Sequence, residues 1–139
     1  MLDEVIADLE QDESWRPHPY QDHLGNWTIG FGFLIDGRKP VTLPREVGNH
    51  WLRYLVERRY EDLLSEWESF EEQPKEVQRA LVNMSYQLGI NGVLKFKRMI
   101  AALEGGDREL AAIEAMDSEW AQQTPKRAKR IAALIRGHE

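Results

Sequence analysis

Leu2, Val5, Ile6 and Leu9 recur at the spacing of one helical face, so the chain opens with an amphipathic helix over residues 2–12. Pro17 and Pro19 stop it, because proline lacks the N–H that a helix interior needs. Between residues 19 and 35 the pattern changes. Tyr20, Trp27, Thr28, Ile29, Phe31 and Phe33 are β-branched or aromatic, and Leu24-Gly25-Asn26 is a turn signal among them. This predicts a β-hairpin or small sheet. Asp36-Gly37-Arg38-Lys39-Pro40 reads as a second turn.

From there the pattern is helical to the end. Thr42 and Pro44 signal a helix start, and Val47, Trp51, Leu55, Leu63 and Trp67 follow at roughly helical intervals, predicting one long helix from about 44 to 69. Pro74 opens another, with Val77, Leu81, Met84 and Leu88 on one face and Gly89 as its stop. A third covers 93–104 and closes at Gly105-Gly106; Asp107 is suited to cap a fourth. Thr124-Pro125 begins the last, which ends near Gly137. A helix, a small sheet and then a run of helices make an α+β chain with segregated elements. The sheet is too small to hold a core alone, so the helices must supply most of the buried area.

With 139 residues, 42% of them hydrophobic, the chain has material for one domain or for two lobes sharing a core. Its net charge of −6 is uneven, with −8 over residues 1–90 and +2 over 91–139. The basic character gathers in Lys126, Arg127, Lys129 and Arg130. An acidic chain is a poor non-specific nucleic-acid binder, since phosphate neutralisation supplies most of that affinity. Cysteine is absent, and His18, His23, His50 and His138 lack metal-ligand spacing, so no metal or other cofactor is expected. No apolar run reaches the ~18 residues of a membrane span. The start, Met1-Leu2-Asp3-Glu4, lacks the features of a secretory signal, which leads to an expected location in the cytoplasm of the producing cell.

Three residues could carry chemistry together. Glu13 falls at the end of the first helix, Asp22 at the entry to the hairpin turn, and Thr28 at the start of the next strand. Cleaving a glycosidic bond needs one carboxylic acid to protonate the leaving oxygen and a second carboxylate to manage charge or water. A hydroxyl can hold the attacking water. Taken singly, each residue has a plainer reading: a solvated helix-end glutamate, an aspartate doing turn chemistry, and a threonine favoured by strand propensity. Other patterns are weaker. Gly30-Phe31-Gly32 begins like a dinucleotide loop, but Ile35 stands where its third glycine belongs. None of Ser14, Ser65, Ser69, Ser85 and Ser118 sits in a nucleophile-elbow context. Most of the five tryptophans and four tyrosines read as core rather than as a sugar-stacking platform.

Asp12-Glu13-Ser14-Trp15-Arg16 through Tyr20-Gln21-Asp22, with Gly25-Asn26-Trp27-Thr28-Ile29-Gly30-Phe31-Gly32, resembles the signature of the phage-type lysozymes, glycoside hydrolase family 24. Arg79-Ala80-Leu81-Val82-Asn83-Met84-Ser85-Tyr86-Gln87-Leu88-Gly89 resembles the family's central helix. Trp120-Ala121-Gln122-Gln123-Thr124-Pro125-Lys126-Arg127-Ala128-Lys129-Arg130 resembles a third segment, and the three stand in family order. The resemblance implies a lysozyme-like fold: a small N-terminal lobe over about 14–43, a linking helix over about 44–69, and a helical lobe over about 70–139 with helix 2–12. It implies hydrolysis of the β-1,4 bond between N-acetylmuramic acid and N-acetylglucosamine in peptidoglycan. Glu13 would be the general acid, and Asp22 and Thr28 would orient the water, with inversion. Leu34, Tyr86 and Gln87 would contact the glycan, Arg127 would pair with the acid, and Arg130 with Asp12. The expected partner is the glycan strand, met by a monomer that a holin lesion releases to the wall. Lytic transglycosylase chemistry and a non-catalytic wall-binding phage module are the alternatives.

Three departures from the family pattern stand out. Phe33 replaces the histidine that usually follows G-x-G. Ser14 replaces the usual glycine after the acid, which costs about 1 kcal/mol or more if that position has a positive φ. The stretch from Leu34 to Val41 is shorter than in the family's best-known member, so the small lobe should be reduced.

Overall fold

The computed structural model describes residues 1–25, 27–31, 33–34 and 43–137, with only the backbone for Pro19, Trp27, Phe33 and Leu34. The described chain is mostly helical with one three-stranded antiparallel sheet, an α+β fold of the lysozyme-like class. Its elements are α1 (Leu2–Glu13), β1 (Arg16–Gln21), β2 (Trp27–Gly30), β3 (Phe33–Leu34), α2 (Arg45–Glu66), α3 (Lys75–Leu94), α4 (Lys97–Glu104), α5 (Arg108–Met116), α6 (Glu119–Gln123) and α7 (Pro125–Arg136), with a 3-10 turn at Phe70–Glu72. They form two compact units, one of residues 6–55 and one of residues 1–5 with 56–139.

In the unit of residues 6–55 the sheet order is β1-β2-β3. Arg16 faces Gly30, Tyr20 faces Thr28 and Gln21 faces Trp27, and the ladder is irregular between Arg16 and Tyr20. That interval holds Pro17 and Pro19, which cannot donate to a ladder. Their place on an edge strand is where a sheet tolerates them. The strand therefore starts at Arg16, ahead of the region 19–35 where the sequence pattern placed the sheet. The helix ends at Glu13, before either proline, and the fixed φ of Pro17 and Pro19 suits the extended chain that follows. The turn expected at 36–40 and the helix-start signal at Thr42 lie outside the described residues. Leu43 N–H donates to the Pro17 carbonyl at 3.0 Å, which places Leu43 beside β1.

The long helix runs from Arg45 to Glu66, inside the expected 44–69. Over its first turns the buried line is not the one that the apolar spacing picks out, whereas Leu63, and Trp67 just beyond the helix, are buried as that spacing expects. Gly48, Leu52, Val56 and Leu63 are buried, whereas Val47 is 51% exposed and Trp51 is half-exposed. The reason lies in Gly48. A Cβ built there would overlap Cζ3 of Trp15 and lie 2.8 Å from its Cη2. The bare helix surface thus receives an indole ring, and the line through residue 48 becomes the packed one. Leu9, Ile29, Phe31 and Leu52 complete the interior of this unit.

In the other unit, α3 packs on α7, α7 on α5 and α6, and α5 on α4. Phe70, Leu63, Leu81, Met84, Met99, Ile131 and Ile135 are among its large, fully buried side chains. Gly89 does end a helical segment: at φ 76 and ψ 164 it kinks the chain, and helix resumes to Leu94. Asp107 caps α5 as expected, its side chain accepting from Leu110 N–H at 3.0 Å. Ser118 does the same for Ala121 N–H at the head of α6, a short helix that the apolar spacing did not announce. Gly137 ends α7 in the left-handed region.

Two further polar side chains fasten helix ends in this unit. Gln78 is fully buried, and its amide donates to the Glu71 and Gln73 carbonyls at 3.1 and 2.9 Å, tying the 3-10 turn to the start of α3. Arg108 donates to the Ile135 and Leu134 carbonyls at 2.8 and 3.2 Å and pairs with Glu76 at 3.4 Å. A guanidinium at a helix C-terminus meets both the orphan carbonyls and the negative end of the dipole. Arg108→Ala should lower unfolding free energy by about 2 kcal/mol, the worth of a hydrogen bond to a charged group, as read by urea denaturation. A loss under about 0.5 kcal/mol, the level of an ordinary surface substitution, would reject this capping role.

Candidate active site

Glu13 is the last residue of α1 and is half-buried. Only Ser14 and Trp15 separate it from β1. Ser14 has φ 57, the one positive value among the described non-glycine residues. The helix therefore turns into the strand through a left-handed residue, and the position does need the conformation that glycine adopts without strain.

Asp22 follows β1 directly. Its Oδ1 accepts from Leu24 N–H at 2.9 Å, and its carbonyl accepts from Gly25 N–H at 3.0 Å. Gly25 supplies the positive φ of 83 that the turn requires. The turn chemistry of an aspartate before a glycine is thus present, and it fixes the direction of the carboxylate. Thr28 lies across the ladder from Tyr20 on one side and from Leu34 on the other. It is buried, and its hydroxyl donates to the Tyr20 carbonyl at 3.3 Å. A hydroxyl that gives its proton to a carbonyl keeps oxygen lone pairs with which to accept from water. Asp12, Glu13, Asp22, Thr28 and the backbone of Leu34 thus belong to one unit; the Leu34 side chain lies outside the description.

Tyr86, Gln87, Arg127 and Arg130 belong to the other unit. Tyr86 and Gln87 occupy the turn of α3 just before the Gly89 kink. Gln87 Oε1 accepts from the Trp120 indole at 2.8 Å, and Trp120 meets Phe96 edge-on at 5.9 Å. Trp120 and Phe96 line a cavity of about 530 Å³ with Leu88, Gly92 and Met99; Lys95, Arg98, Glu114 and Asp117 also border it. Sequence reasoning did not find this cavity, though it had set aside the aromatic residues as core. Arg127 donates from Nε to Oδ1 of the buried Asn83 at 3.0 Å, while Lys126, Lys129 and Arg130 are exposed on α7. Among the described residues no three His, Cys, Asp or Glu side chains gather to hold a metal ion, and no helix is long and apolar enough to cross a membrane.

A helix, a small three-stranded sheet and a run of helices, with Glu13, Asp22 and Thr28 all in the unit of residues 6–55, fit a lysozyme-like α+β protein. The chain belongs to the phage lysozyme family, whose family model matches residues 10–138, and is a glycoside hydrolase that acts on peptidoglycan. It is similar to "Probable T4-type lysozyme 2" of Dictyostelium discoideum, with 32% identity over 91% of this chain and 90% of that protein. "Probable T4-type lysozyme 1" of the same organism is 27% identical over 97% of this chain and 95% of its own length. The "Pre-baseplate central spike protein Gp5" of Enterobacteria phage T4 is 32% identical over 91% of this chain, which spans 26% of that larger protein.

The strained joint can be tested directly. Ser14→Gly should raise stability by about 1 kcal/mol, because the αL penalty of a side chain outweighs the extra unfolded-state freedom of glycine. The check is a higher melting temperature in calorimetry; a lower one would contradict the strain.

Proposed function

We propose that this enzyme cleaves the β-1,4 bond between N-acetylmuramic acid and N-acetylglucosamine by inverting hydrolysis. The observation that carries this reading is the compact unit of residues 6–55, in which α1 ends on Glu13 and passes through Ser14 into the strand whose turn holds Asp22. Membership of the phage lysozyme family supports it. Glu13, as the protonated acid, gives its proton to the glycosidic oxygen as that oxygen leaves C1. A water on the opposite sugar face attacks C1. Asp22 and Thr28 orient this water, and Asp22 accepts its proton as the new C–O bond forms. The Thr28 hydroxyl suits the task because its own proton points to the Tyr20 carbonyl. In the same proposal Leu34, Tyr86 and Gln87 contact the glycan. The enzyme acts as a monomer, accumulates in the host cytoplasm and reaches the wall through a holin lesion.

A second reading draws on the similarity to a segment of the phage spike protein: the chain works as the wall-cleaving part of a phage particle rather than as a free lysis enzyme. The chemistry is the same, and co-sedimentation with particles distinguishes the two.

Glu13→Gln removes the transferable proton and should lower release of soluble sugar from purified sacculi by about 10²–10⁴-fold with folding intact. An unchanged rate would end the reading. Asp22→Asn retains an oxygen to accept from Leu24 N–H, so its melting temperature should stay close to that of the parent while turnover falls steeply. Products with a newly formed α-anomer at the reducing end are expected; 1,6-anhydro sugars would indicate a transglycosylase instead.

A further inference from the structure

We infer that Trp15 is a positioning residue for the acid, a peg that fixes where Glu13 points by bearing on the bare backbone of Gly48. The inference rests on the reading of Glu13 as the acid.

Trp15 stands two residues after Glu13, and between them lies only Ser14 in its left-handed conformation. Three residues hold the indole. On α2, Gly48 offers no side chain, and any Cβ there would overlap the six-membered part of the ring at Cζ3 and approach Cη2 to 2.8 Å. Beyond β2, Phe31 meets the indole at 5.0 Å with planes tilted by 52°. From the first turn of α2, the Arg45 guanidinium lies 5.8 Å from the Trp15 ring and 5.4 Å from that of Phe31. Arg45 also pairs with Glu10 at 3.7 Å, and Glu10 lies one helical turn before Glu13 on α1. The end of α1 is therefore clasped on both sides of the acid, by the ion pair before it and the indole after it.

This arrangement has a functional consequence because proton transfer is geometrically strict. A displacement of about 1 Å at a reacting group can cost on the order of 100-fold in rate. Glu13 ends its helix, where the backbone is otherwise prone to fray. A side chain two residues on, seated against a rigid helix, removes that freedom. Catalytic groups need locked support of this kind.

The test is a double-substitution cycle in the full chain, with kcat and KM measured on a soluble peptidoglycan oligomer. Gly48→Ala pushes a methyl group into the ring, and Trp15→Phe removes the ring portion that lies on Gly48. Each should lower kcat by roughly 10- to 100-fold with KM within about twofold, since the substrate-contacting groups are untouched. The two losses should not add: in the Trp15→Phe background the alanine has room, so the double variant should be no slower than the slower single variant. Folding is followed by near-ultraviolet circular dichroism. If Gly48→Ala does not fold, Trp15→Phe decides alone: a kcat loss at constant KM supports the peg, and an unchanged kcat overturns it. Additive losses, or losses confined to KM, overturn it as well. Glu13→Gln is run beside them. Should that variant turn over normally, the acid reading falls and the peg with it. Should it be inactive while the folded Trp15 and Gly48 variants keep full kcat, the peg alone is overturned.

Discussion

The packing of one indole ring on one glycine organises the unit that carries the proposed acid. Trp15 on Gly48 sets which line of α2 faces inward, and Arg45, three residues earlier on that helix, is thereby brought over both Trp15 and Phe31. Interiors are close-packed, so such a contact leaves little tolerance: a single added methyl is felt by every neighbour. The sheet offers no comparable anchor. It has three strands of six, four and two residues, and its first is interrupted at the prolines. A sheet that small draws its order from what packs on it.

The helical unit solves a different problem. Four of its five helices have between five and twelve residues, and helices of such length are marginal alone in water. Their ends are therefore where polar side chains concentrate. Asp107 and Ser118 serve N-termini, and Arg108 and Gly137 serve the end of α7. Arg108 also links three elements, because it immediately follows the Asp107 cap, holds carbonyls of α7 and pairs with Glu76 on α3. Gln78 shows the same economy on the 3-10 turn, where one buried amide serves two carbonyls.

Much of this was legible in the sequence. The α+β class, the first helix, the hairpin turn at Gly25, the break at Gly89, the Asp107 cap and the Gly137 stop all follow from period, proline and glycine. These are local signals with local causes. What escaped depends on partners distant in the chain. Hydrophobic spacing favoured Val47, Trp51 and Leu55 on α2 because it cannot see that a glycine is a packing position when a tryptophan thirty-three residues earlier fills it. Pro17 and Pro19 were read as helix stops, and their second role, as edge-strand residues, needed the sheet order. Helix α6 is too short to express a period. The site residues were legible only in part. Spacing offered plain readings for each, and the turn chemistry of Asp22 is now seen to be real. It is the resemblance to the family signature that suggests a common purpose for Glu13, Asp22 and Thr28, the one set out in the proposal.

Ser14 ties the two levels together. A serine at φ 57 is strained by about 1–2 kcal/mol relative to the right-handed region. Such a residue persists only where its surroundings over-determine it. Here they do: α1 comes in on one side, β1 begins two residues later on the other, and the Trp15 ring is seated in between. The packing free energy of an aromatic ring, with the tilted-ring and cation contacts it makes, is of a size to offset that strain. The same balance makes the joint stiff. Glycine there would relieve the strain but widen the set of backbone conformations open to the joint, so an indole peg and a strained serine are mutually consistent choices. The inference about Trp15 extends that stiffness by one residue, to Glu13.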